Sequence, residues 1–122
     1  AQPVIDEMEE QKIRDEVKKQ IDFEVLEVNF PYDDAGSFLE LICEVLCSST
    51  ATMRIGNEQL STDRVKARFR QLEYGHIEYV IDTLKKTTNE IHNIRAYLLT
   101  ALYNAPVTIG PFYSAAVRHD YG

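Results

Sequence analysis

The chain has 122 residues, with 13 Lys and Arg against 20 Asp and Glu, a formal net charge of −7. That length suits a single domain over 1–122 that buries its own core. Two cysteines are too few for a disulfide scaffold. Five glycines and four prolines exclude a collagenous or low-complexity chain, and the acidic balance excludes whole-surface attraction to DNA or anionic membranes.

The charge is uneven. Residues 1–47 hold 13 acids against 4 bases, net −9, and residues 48–122 hold 7 acids against 9 bases, net +2. The first third is therefore a solvated acidic segment or an acidic docking face, and the remainder is free to carry a local basic surface. The start, Ala1-Gln2-Pro3, has no initiator Met, basic n-region or apolar h-region. It is no signal peptide, and it fits a fragment of a longer protein or a processed start.

In chain order, Val4 to about Ile21 reads as an acidic helix rich in Glu, Lys and Gln, with Ile13, Val17 and Ile21 as a narrow stripe. Asp22 to Asn29 continues as a short helix with Phe23, Leu26 and Val25 as its apolar positions, and Phe30-Pro31-Tyr32 breaks it. Asp33 or Asp34 caps the next helix. Its residues Phe38, Leu39, Ile42, Cys43, Val45, Leu46 and Cys47 predict burial on most sides before Ser48-Ser49-Thr50 ends it. Thr52–Ile55, Gly56-Asn57 and Glu58–Leu60 read as a hairpin whose Gly-Asn pair supplies positive φ angles.

Ser61 or Thr62 caps a helix to about Leu72, with Val65, Phe69 and Leu72 inward. Tyr74-Gly75 reads as a break, and His76 to about Lys86 as an amphipathic helix on Ile77, Val80, Ile81 and Leu84. Asn93 caps a helix that places Ile94, Tyr97, Leu98, Ala101 and Leu102 inward and ends at Pro106. A last helix runs from about Thr108 or Gly110 to His119. The uncharged stretch Ala96–Val117 is long enough to span a bilayer. Asn104-Ala105-Pro106 and Gly110-Pro111 interrupt it, so it reads as two core helices and not as a membrane span. The fold class is all-α: a compact bundle of about five to seven helices with one small β-hairpin near 52–60.

Catalytic patterns are absent. Cys43 and Cys47 share a helix face but lack further metal ligands, and side chains one turn apart suit a disulfide poorly. They read as free core thiols in a reducing, cytoplasmic compartment. His76, His92 and His119 fall on separate elements and read as exposed or capping residues. Glu78 and Asp82 read as a polar helix face. No GxGxxG and no P-loop is present, so no catalytic residue, metal or cofactor is expected. The most suggestive local feature is basic: Arg64, Lys66, Arg68 and Arg70 fan across the solvent side of one helix, with Arg54 ahead of them. Such a fan suits phosphates or an acidic partner, or simply solubilises the helix, and no aromatics are interleaved for base stacking.

Three runs carry a resemblance: His76–Asp82, Ile94–Pro106 (IRAYLLTALYNAP) and Phe112–Gly122 (FYSAAVRHDYG). Thr52–Gly56 and Val65–Arg68 fit the same pattern. From about Asp15 on, the chain resembles the C-terminal domain of replication-initiator-A-like proteins of Gram-positive plasmids and conjugative elements. That domain is similar in turn to the helical C-terminal domain of DnaD-type primosome proteins, the shared element being the Tyr-bearing helix Tyr97–Asn104. The chain has no Trp, where the DnaD pattern has one. The resemblance implies a winged-helix DNA-binding domain upstream and, for this domain, recruitment of host replication proteins such as primase or helicase-loading factors. It marks Ile94, Tyr97, Leu98, Leu102, Tyr103, Asn104 and Pro106 as structural positions of the family run. Weak DNA contact through the basic helix is the alternative, and oligomerisation stays open.

Overall fold

The computed structural model describes residues 6–109. Its elements are α1 (Glu7–Gln20), α2 (Phe23–Asn29), α3 (Ala35–Cys47), β1 (Thr52–Ile55), β2 (Glu58–Ser61), α4 (Thr62–Phe69), α5 (Tyr74–Lys86) and α6 (Ile94–Thr108). The architecture is a mainly α bundle with one antiparallel hairpin. The helix expected at 108/110–119 lies outside the described residues, apart from its first positions, which complete and cap α6.

α1 forms because its ends match its dipole. The Asp6 carboxylate accepts from the Glu9 amide at 2.8 Å, three acids occupy the first turn, and Lys18 and Lys19 the last. Its first turns lie fully in solvent; Val17, and Ile21 just beyond its end, lock the other half onto α3. At the corner Asp22 takes a left-handed φ of 52°. α2 then buries Leu26, while Val25 stays 48% exposed, unlike the inward position expected for it.

Asp34, not Asp33, caps α3: its carboxylate accepts from the Ser37 amide and from the Ser37 hydroxyl at 2.6 Å. α3 is the hub. Eight of its 13 residues are buried, and α1, α2 and α4 pack around it. The hairpin pairs Thr52 with Ser61 and Ile55 with Glu58. Only Gly56 takes a positive φ, at 62°; Asn57 does not, as in a turn that needs glycine at its first central position alone. The Gly56 amide donates to Thr100 Oγ1 at 3.1 Å, and Ile55 is buried, so the turn and its strand are anchored on α6.

Ser61 caps α4 by accepting from the Arg64 amide. α4 stops at Phe69, short of the expected Leu72, because the Gln20 side chain donates to both Phe69 O and Leu72 O and closes the turn there. The expected break at Tyr74-Gly75 is a helix start instead. Glu73 is the N-cap, and its amide donates to His76 Nδ1 at 2.9 Å in a capping box. Glycine is tolerated in a first turn because no preceding turn yet relies on it. α6 starts at Asn93, whose side chain accepts from the Ala96 amide, and runs through Pro106 to Thr108. Proline removes the amide that would bond to Leu102 O, and the helix closes again beyond it, with the Ile109 amide bonding to Ala105 O at 3.0 Å.

Candidate functional site

The five expected basic contacts do not form one free face. Arg54, Arg64 and Arg70 are exposed, while Lys66 and Arg68 are half-buried. Arg68 is spent on the fold: it donates to Tyr103 O at 3.0 Å, and its guanidinium lies 4.3 Å from the Tyr103 ring centroid. This pair ties α4 to α6. Sequence spacing places Arg68 on the same helical face as Arg64 but cannot show that a ring from a distant helix lies beneath it.

The residues marked by the resemblance divide the same way. Leu98, Leu102 and Tyr103 are buried, Tyr97 and Pro106 half-buried, and Asn104 is exposed. Ile94, expected inward, is 48% exposed because it stands at the first position of α6, beyond the end of the core. The Tyr103 hydroxyl is buried and has no hydrogen-bond partner among the described residues.

Titratable groups show no catalytic arrangement among the described residues. His76 is buried, and that burial lowers its pKa against the opposing pull of Glu73, which suits its role as a neutral acceptor. Glu78, expected on a polar face, is buried; desolvation first and the Asp82 carboxylate second raise its pKa. Cys43 is buried and Cys47 half-buried, both are free, and burial pushes both thiols up, which makes them poor nucleophiles. Among the described residues no group of three or more His, Cys, Asp or Glu is placed to hold a metal ion, and no helix is long and apolar enough to cross a membrane.

Two other surface features went unread in the sequence. The first is a set of large apolar side chains left in solvent in the acidic part: Met8 at 83%, Val28 at 76% and Tyr32 at 95% exposure, with Val25 between them. The second is an open groove of about 400 Å³ between the start of α3, the end of α5 and the start of α6. Its floor is Phe38, Leu41, Leu84, Ile94 and Leu98, and its rim carries Asp33, Asp34, Glu40 and Glu44. Each flank is pinned by an ion pair. Glu40 accepts from both Arg14 amino groups, an exchange that lowers the pKa of its carboxyl; Glu44 pairs with Arg95, and Lys85 Nζ lies 3.1 Å from Asp33. The α3 spacing of 34, 38, 41 and 44 was a readable signal for the acid-edged face, but nothing in the sequence showed that α5 and α6 leave it open.

The chain belongs to a family of unknown function, DUF6017, whose model matches residues 3–122. No curated protein and no solved structure matches it.

Proposed function

We propose that this domain is a protein-interaction module of a replication initiator of a Gram-positive plasmid or conjugative element, acting in the cytoplasm to recruit host primosome factors, either primase or a helicase-loading protein. The replication context rests on the resemblance of Ile94–Pro106 and its companion runs to replication-initiator-A-like proteins. The observation that carries the interaction role is where the apolar surface lies. Four of the six large apolar side chains exposed among the described residues, Met8, Val25, Val28 and Tyr32, lie within the acidic first third. Apolar side chains among carboxylates suit a protein partner with basic and apolar groups, and they repel a polyanion. The test is calorimetric titration of the domain with purified host primase and helicase loader. Saturable binding to one of them is expected; no binding to either overturns the reading.

A second reading, weak DNA contact, is favoured by the exposure of Arg54, Arg64 and Arg70. It predicts binding that falls steeply with salt and is lost in Arg64→Glu with Arg70→Glu. Unchanged affinity in that double variant removes it.

A further inference from the structure

We infer that the groove between α3, α5 and α6 is the docking site for a basic amphipathic helical segment of a partner protein, one that seats two apolar side chains on the floor and places Lys or Arg on the rim. This rests on the interaction reading and names the site and the chemistry of the partner.

The floor argues for apolar anchors. Phe38, Leu41 and Leu98 are core residues whose outer edges line the groove, and Leu84 and Ile94 project further into it. Ile94 is the telling residue, a large aliphatic side chain left 48% exposed directly beside other aliphatic ones. Its spacing from Leu98, one helical turn, presents two apolar positions along the axis of α6, matched across the groove by Phe38 and Leu41 on α3. Two facing helices with such ridges leave a trough of the kind that accepts a third helix by its i, i+3 or i+4 positions.

The rim argues for basic flanks. Four carboxylates line the groove against a single lining base, Arg95. The pairs that partly neutralise them differ. In Glu44–Arg95 both side chains are open to solvent, at 58% and 53% accessible, whereas Asp33 is 19% accessible beside Lys85 and Arg14 31% beside Glu40. An ion pair as exposed as Glu44–Arg95 holds little free energy. An incoming ammonium or guanidinium can therefore take over Glu44 while Arg95 swings into water. Asp34 is already engaged in capping α3 and Glu40 in a two-fold contact with Arg14, so the exchangeable rim charge is Glu44.

The test uses the full chain and a fluorescent helical peptide with Leu at i, i+4 and i+7 and Lys at its solvent positions, read by polarisation. An equivalent peptide with Glu for Lys is the comparison. The Lys peptide is expected to bind, the Glu peptide not. Ile94→Ser with Glu44→Lys should weaken binding at least tenfold, with an unchanged circular dichroism spectrum. Glu58→Gln with Asp63→Asn, which removes exposed charge on the hairpin and α4 away from the groove, should leave it unchanged. Equal binding by the groove variant, or a larger loss in the hairpin–α4 variant, overturns the proposal. A photoreactive diazirine side chain in place of Ile94 tests the other occupants: cross-linking to the added peptide supports the proposal, while cross-linking to a second copy or to residues 110–122 of the same chain overturns it. The two readings fail separately. Host primosome proteins that do not bind, with a groove that takes the Lys peptide, remove the replication role alone. A primosome protein whose binding ignores Ile94→Ser with Glu44→Lys removes the groove assignment alone.

Discussion

At the scale of single residues, several side chains serve the fold where the sequence suggested surface roles. Arg68 is the clearest. Its bond to Tyr103 O and its stacking on the Tyr103 ring predict that Arg68→Ala lowers stability by about 1–2 kcal/mol, whereas Arg64→Ala, exposed on the same helix, changes it by less than about 0.5 kcal/mol. Urea unfolding of the two variants checks this, and equal midpoints would show that Arg68 is a surface charge. The buried Tyr103 hydroxyl carries the opposite sign. Tyr103→Phe keeps the ring under Arg68 and removes an unpaired polar atom, so stability should rise by about 1 kcal/mol. Glu78 gives a pH signature. Burial raises its pKa in the folded state, so the carboxyl holds its proton more tightly in the folded chain than in the unfolded one. Its contribution is present below the unfolded value of about 4.3 and is lost as the pH climbs through the raised folded value. Glu78→Gln should therefore be more stable than the parent at neutral pH, with the difference vanishing in acid. Denaturation midpoints across pH 4 to 8 read this out, and parallel curves for the two proteins would contradict it.

Elements show why some boundaries were legible and others were not. Capping chemistry is local, so Ser61, Asn93 and the Asp33-Asp34 pair announced their helices correctly from sequence. The hairpin was legible for the same reason: Gly56 sits where only a turn can use it. The misread ends are those decided by distant groups. α4 is closed at Phe69 by Gln20, a residue 49 positions earlier, and α5 begins at Tyr74 because His76 turns back onto the Glu73 amide. Pro106 was read as a stop, but it removes a single amide bond, and the helix runs on to Thr108 before it ends. Capping also yields a test. Asp34 both accepts from Ser37 and holds a left-handed φ of 54°, so Asp34→Ala should cost about 1–2 kcal/mol, and Asp34→Asn much less, since asparagine caps well and tolerates that backbone. Thermal unfolding of both variants decides it.

For the whole molecule, the division of charge acquires a shape. The acidic third forms α1, α2 and α3, with α3 at the hub; the outer helices present exposed Met8, Val25 and Val28, and the turn between α2 and α3 presents Tyr32. The mildly basic remainder forms the hairpin and α4 to α6, where one arginine of the expected fan, Arg68, ties α4 to α6. Fold class was legible because it follows from periodicity and capping. The groove was not, since it arises where three helices separated in sequence fail to close over Ile94, and no local pattern encodes a gap. The central claim is that the domain binds a protein and not DNA. The direct measurement is titration of the purified chain, at about 0.15 M salt, with host primase, with a helicase-loading protein and with a DNA duplex. Saturable binding to one of the proteins and none to the duplex is expected. Binding to the duplex alone, abolished by Arg64→Glu with Arg70→Glu, would contradict it.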